Sequence, residues 1–181
     1  MRITRDNTMA LIIDVQERIL PVIDQADQTV ARIVTLCRGL HLLGVPLTVT
    51  EQYPQGLGAT LPAVRDAAGE EAPLLVKAFF SCCDDPACMT HLEGQNRKVV
   101  VLAGIETHVC VLQTALDLLE RGLIPVVPVD AVSSRNPRDR ETALVRLQQE
   151  GARLTTTESI LFELTRSSAA PEFRDISRLI R

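Results

Sequence analysis

Residues 99–122 read "VVVLAGIETHVCVLQTALDLLERG": an apolar run, a glycine, then a segment of helical period that stops at Gly122. A short valine-rich run without polar alternation fits a strand buried on both faces, and the helix after it supplies the crossover that a parallel strand requires. This unit reads as strand then helix, so the fold class it implies is α/β.

The alternation repeats on both sides. Toward the N-terminus, "MALIIDV" (9–15) is a first strand. Residues 27–44 follow as a helix, with Val30, Ile33, Val34, Cys37, Leu40 and Leu43 at helical spacing and Gly44 as the stop. "VPLTVTEQYP" (45–54) reads as strand two, "QGLGATLPAV" (55–64) as a turn-rich lid or pocket rim, and "PLLVKAFFS" (73–81) as strand three. Asp84 or Asp85 as cap and Pro86 in the first turn open a short helix, and 98–105 is strand four. Beyond Gly122, "LIPVVPVDAV" reads as strand five despite its two prolines, and 139–151 as a helix closed by glycine. "ARLTT" is then a last strand and "TESILFELTR" a last helix, capped at Thr157 or Ser159. Helices therefore cover both faces of a parallel sheet, a three-layer α/β/α arrangement.

With 181 residues, one domain spanning 1–181 is expected. A net charge of -4 and a pI near 5.4 argue against nucleic-acid or anionic-membrane partners, and no run of apolar residues is long enough to cross a bilayer. The partner expected is a small molecule. Five cysteines, an odd number, with no secretory signal at the N-terminus, fit free thiols in a reducing cytoplasm.

In open parallel sheets, ligands bind beyond the carboxyl ends of the strands. Asp14 ends strand one, Lys77 lies in strand three as one of only two lysines in the chain, and Cys110 follows strand four, all at that edge. Thr107 stands as a helix cap before Cys110, so the unpaired N–H groups of the helix start and the Lys77 ammonium would favour a thiolate. Asp14 would accept the thiol proton and return it to a leaving amine. Each residue also has a structural reading: a buried cysteine as a small hydrophobe, an aspartate as a cap, a lysine extending out of a strand end. His108 is assigned to the exposed side of the helix start. Cys82, Cys83, Cys88 and His91 lack the spacing of a zinc site, and a role for Cys82 or Cys83 in resolving an oxidised Cys110 stays open.

"LIIDVQ", "LLVKAFFS" and "GIETHVCVLQTALDLLERG" resemble the Asp, Lys and Cys motifs of the isochorismatase-like cysteine hydrolases. "TEQYPQGLG", "DAVSSRNPRDRETAL" and "TTTESILFEL" resemble more narrowly the isochorismatase domain-containing proteins, and the likeness runs from about Asp14 to Leu164. The resemblance implies a six-stranded parallel sheet in the order 3-2-1-4-5-6, with Cys110 as nucleophile, Asp14 as base and then acid, and Lys77 holding the charged pair. It also implies a non-proline cis peptide at Ile105–Glu106, with an amide of that turn and that of Cys110 facing an oxyanion. In that strand order Lys77 lies two places from Asp14 and must bridge the gap with its stem or a bend after Val76.

Nicotinamidases of the superfamily bind a metal through an Asp-x-His motif where this chain has Glu51, Gln52 and Tyr53, so neither metal nor cofactor is expected. Isochorismatases proper lack the cysteine, which directs the reading to hydrolysis of a C–N bond in a small amide or related compound. Gln16, Glu51, Tyr53 and Phe79 are the expected pocket residues. Family members commonly assemble, so a homo-oligomer, dimer or larger, is expected, with "SILFELT" either at an interface or covering the sheet. The alternative is a small-molecule-binding or interaction protein without catalysis on the same scaffold.

Overall fold

Each apolar run expected as a strand forms one, side by side in a single sheet of the computed structural model, which describes residues 2–181. The strands are β1 (Thr8–Ile13), β2 (Leu47–Gln52), β3 (Leu74–Lys77), β4 (Val99–Ile105), β5 (Ile124–Pro128), β6 (Val132–Ser133) and β7 (Arg153–Thr155). They pair in the order β3-β2-β1-β4-β5-β7, and every pairing is parallel. β1 and β4 lie at the centre and are buried throughout, which is why their sequences show no polar alternation.

The sheet has seven strands where six were expected. β5 stops at Pro128, the chain turns so that the Ala131 amide donates to the Pro128 carbonyl, and β6 then returns to pair with Gly104 and Ile105. What reads as one strand with two prolines is a strand, a turn and a second short strand.

Eight helices complete the layers among the described residues: α1 (Ala26–Leu42), α2 (Pro54–Leu57), α3 (Pro62–Ala68), α4 (Pro86–Gly94), α5 (Leu112–Glu120), α6 (Pro137–Glu150), α7 (Thr157–Thr165) and α8 (Phe173–Leu179). On one face, Ile33, Leu36 and Leu40 of α1 and Ile160, Leu161 and Leu164 of α7 pack against Ala10, Ile12, Val49 and Val101. On the other, Leu112, Ala115 and Leu118 of α5 and Leu147 of α6 pack against Leu11, Ile13, Val100 and Leu102. Successive strand residues thus feed opposite cores, as the pleat requires. The apolar side of α7 covers the sheet. None of the helices is long and apolar enough to cross a membrane.

Three local expectations are corrected. Thr107 is not a cap: Glu106 holds that position, and Thr107–Val111 form one π-helical turn before α5. α4 is capped by Asp85, and α7 by Thr156 rather than Thr157 or Ser159. The segment 55–64 contains α2 and the start of α3, with Pro54 and Pro62 each opening a helix. α8 escapes a reading by periodicity because only Ile176 in it is fully buried.

Candidate active site

Asp14 leaves β1 in a left-handed conformation, φ 53°, which aspartate tolerates better than most residues and which turns its side chain out of the strand's pleat. Its carboxylate is held at both oxygens: the Thr50 hydroxyl donates to Oδ1 at 2.7 Å and the Lys77 ammonium to Oδ2 at 2.6 Å. Lys77 bridges the two-strand gap with its stem. β3 ends at Lys77, short of the expected Ser81, because the chain bends so that the Phe79 and Phe80 carbonyls each accept from Nζ at 3.2 Å. Gln52 Oε1 accepts from the same Nζ at 2.8 Å. The Lys77 side chain is fully buried among these four acceptors. Burial is the largest single influence and works against its charge, but the Asp14 carboxylate together with the nearby Cys110 and Cys82 sulfurs outweighs it and holds the ammonium above the usual lysine range.

Cys110 sits in the π turn, and with Asp14, Gln52, Phe80 and Glu106 it lines a cavity of about 90 Å³. Its thiol is pushed up, against the expectation of a thiolate. Burial is the largest cause, and the Asp14 carboxylate raises it further by its charge and as a hydrogen-bond acceptor, while Lys77 lowers it by less. The resting site is therefore a neutral thiol facing a carboxylate that is paired with an ammonium. The peptide joining Ile105 and Glu106 on the cavity wall is cis. Glu106 Oε1 accepts from the Arg135 backbone amide at 3.0 Å and from Arg135 Nε at 3.1 Å, tying the wall to the loop before α6.

The four residues expected to line the pocket do not line this cavity. Gln16 is fully buried and holds backbone: Nε2 donates to the carbonyls of Gln52 at 3.1 Å and Gly58 at 2.6 Å, and Oε1 accepts from the Gln52 amide. Glu51 Oε1 accepts from the amide and hydroxyl of Thr60 at 2.6 and 2.8 Å. Both fasten the 53–60 segment, which brings Leu57 to the cavity. Tyr53 and Phe79 are exposed, at 61% and 51%, and Phe80 rather than Phe79 reaches the opening.

Gln52 and Phe80 are the site residues that sequence reading missed. Strand parity was the available signal for Gln52, since in β2 residues 50 and 52 share a face, and Thr50 is the residue that holds Asp14. His108 is half-buried, its Nδ1 paired with the Ser134 hydroxyl at 3.0 Å. Burial pushes the thiols of Cys82 and Cys88 up to about 12. His91 is engaged by the Thr48 hydroxyl, and no three metal-ligating side chains converge among the described residues.

A larger cavity, about 340 Å³, lies between α1 and the segment after β5, lined among others by Asp24, Arg32, Asp130 and Arg140. It contains no thiol on its lining, and Arg140 and Asp130 are engaged locally. Arg140 donates to the carbonyls of Val129 and Val132, and Asp130 accepts from Thr157. The smaller cavity holds the Cys110 thiol and the ion-paired Asp14 carboxylate.

Comparison with known proteins follows the same residues. The isochorismatase domain model matches residues 8–159, a span that runs from β1 into α7 and includes Asp14, Lys77 and Cys110. The chain is 40% identical over 181 residues to isochorismatase domain-containing protein 2A of Mus musculus, covering 99% of this chain and 85% of that protein. It superposes on the structure described as MAR1 ribonuclease from Caenorhabditis elegans with a TM-score of 0.94 at 40% identity, covering 99% of this chain and 92% of that one. The Escherichia coli YcaC gene product, described as an octameric hydrolase of unknown specificity, shares the fold at 22% identity. Its TM-score is 0.89, over 98% of this chain and 95% of that one. With the domain matched across most of its length and such identity over nearly all of it, this chain belongs to the isochorismatase family of hydrolases.

Proposed function

We propose that the protein hydrolyses a C–N bond in a small amide or related compound, with Cys110 as nucleophile, Asp14 as proton acceptor and donor, and Lys77 as the fixed counter-charge. The observation that carries this reading is a neutral thiol and an ion-paired carboxylate facing one small cavity.

Because the resting thiol is protonated, attack and proton transfer are coupled: Sγ bonds to the substrate carbonyl carbon as the thiol proton moves to Asp14. The carbonyl oxygen becomes an oxyanion, received by amide N–H groups of the Ile105–Glu106 turn and Cys110. Asp14 returns the proton to the nitrogen, the C–N bond breaks, and ammonia or an amine leaves an acyl-thioester. Water then attacks the thioester, gives a proton to Asp14 and releases the acid, and Asp14 reprotonates the thiol. Lys77 keeps Asp14 oriented throughout and stabilises the carboxylate form between steps.

Cys110→Ala is expected to abolish ammonia release from small amides while leaving the circular dichroism and melting curve of wild type. Asp14→Asn is expected to lower turnover by about 10²-fold or more, the range of general acid–base catalysis. Full activity in Cys110→Ala would overturn the assignment.

A ribonuclease, as the C. elegans relative is described, would have to hold a polyanion. A net charge of -4 and a cavity of about 90 Å³ lined by two acidic residues and no basic one favour the amide reading instead. Self-association is also part of the proposal. Leu74 and Val76 on the edge strand β3, with Phe79 and Phe80 beyond it, are exposed and offer an apolar contact surface.

A further inference from the structure

The Cys110 cavity is small. A volume of about 90 Å³ compares with roughly 30 Å³ for each water in the liquid and with about 150 Å³ for a cavity that accepts benzene. By the benzene comparison its buried part takes about four non-hydrogen atoms, enough for an amide group and a carbon, and it opens to solvent beside Phe80. Ile19, Leu57, Phe80, Ile105 and Val109 make up its apolar wall.

Its polar wall has no free cation. Lys77 has three N–H bonds and four acceptors around them, all within 3.2 Å. Gln52 is spent as well, with Oε1 on Lys77 and Nε2 donating to the Ala78 carbonyl at 2.8 Å. Arg135 is directed to Glu106 and does not line the cavity. The acidic residues on its lining are Asp14 and Glu106. A carboxylate entering this space would give up its hydration and find the cations beside it already paired with Asp14 and Glu106, with none left to receive it. An ammonium would find both carboxylates already matched by Lys77 and Arg135. A neutral amide loses least on entry, and its N–H groups can donate to the carboxylate oxygens that remain.

We infer that the cavity selects small uncharged aliphatic amides or ureas, and that it rejects substrates carrying a carboxylate near the reacting carbonyl. This rests on the hydrolase reading above. Such substrates differ from nucleotides and from carboxylated amides by having no charge for the site to bind.

Iodoacetamide and iodoacetate are nearly equal in size and differ in charge, so alkylation of Cys110 by each reads the selectivity without turnover. Rates are followed by peptide mass spectrometry on the intact wild-type protein and divided by those of mercaptoethanol. Cys110 is expected to favour iodoacetamide by about tenfold or more beyond the free thiol, since taking a carboxylate out of water with no cation to receive it readily costs more than one decade. Acetamide and propionamide should protect Cys110, and acetate and propionate should not. In Glu106→Gln the ratio should move toward iodoacetate, because Arg135 loses its counter-charge.

An equal or reversed preference, no reaction of Cys110 with either reagent, or an unchanged ratio in Glu106→Gln overturns the inference. The two levels separate cleanly. Neutral amides that protect Cys110 but release no ammonia would defeat the hydrolase reading and leave the cavity assignment standing. Ammonia released from succinamate as readily as from butyramide would do the reverse.

Discussion

Lys77 shows how one residue can bind three strands to one chemistry. It extends from edge strand β3 past β2, where Gln52 accepts from it, to the carboxylate that follows β1. Removing the ammonium leaves Asp14 buried without its cation, a loss of the kind that costs about 3–5 kcal/mol. Lys77→Met is expected to lower unfolding stability by that amount in urea titrations. A loss below about 1 kcal/mol would mean that the pair is solvated and not a fixed element of the site. That this lysine mattered was legible, because it stands inside an apolar run in a chain with only two lysines. The protonation of Cys110 was not legible. Position before a helix favours a thiolate, but the fold buries the thiol and turns Asp14 toward it, and those two effects outweigh Lys77.

Among the elements, β4 and the turn after it carry the tightest constraint. Gly104 pairs with Ile13 across β1, with φ +124°, and a Cβ there would lie 2.0 Å from the Ile13 carbonyl oxygen. No flexible side chain could yield, since the obstacle is backbone. Gly104→Ala is expected to cost more than about 3 kcal/mol or prevent folding, read by thermal melting. Gly94→Ala, with nothing within 4 Å, should be within about 1 kcal/mol of wild type and serves as the control. A Gly104→Ala protein as stable as wild type would refute this account of the β1–β4 contact. Strands and long helices were readable at this scale because their periods are set by the backbone. The break of "LIPVVPVDAV" into β5 and β6 was not, because β6 exists only where β4 offers Gly104 and Ile105 as partners. Gln16 and Glu51 were placed at the pocket for want of their partners: the carbonyls and amides they hold belong to the 52–60 segment folded over them.

For the molecule as a whole, the cysteines set a pH limit. All five are buried and free, and burial holds those of Cys37, Cys82 and Cys88 up to about 12 and that of Cys83 up to about 11. Above the usual thiol range of about 8.5, the unfolded chain has released these protons while the native chain keeps them, so unfolding becomes easier as pH rises. Each such thiol contributes a slope of about 1.4 kcal/mol per pH unit, until the native thiols themselves ionise. Tm is expected to fall steeply from about pH 8 to about pH 10, and less steeply in Cys37→Ala, which removes one of the buried protons. A flat profile over that range would show that the thiols are not held protonated by the fold. Layer architecture, strand order and the three polar residues at the carboxyl edge followed from the sequence and from its resemblance to a known family. Periodicity and strand-end position are properties of neighbouring residues along the chain, and family motifs are read as strings. Only the tertiary structure decided which polar groups are already spent, how little space remains beside Cys110, and that its thiol rests neutral. Those depend on burial and on partners distant in the chain, such as Lys77 to Asp14, whose energies exist only once water has been removed from between them.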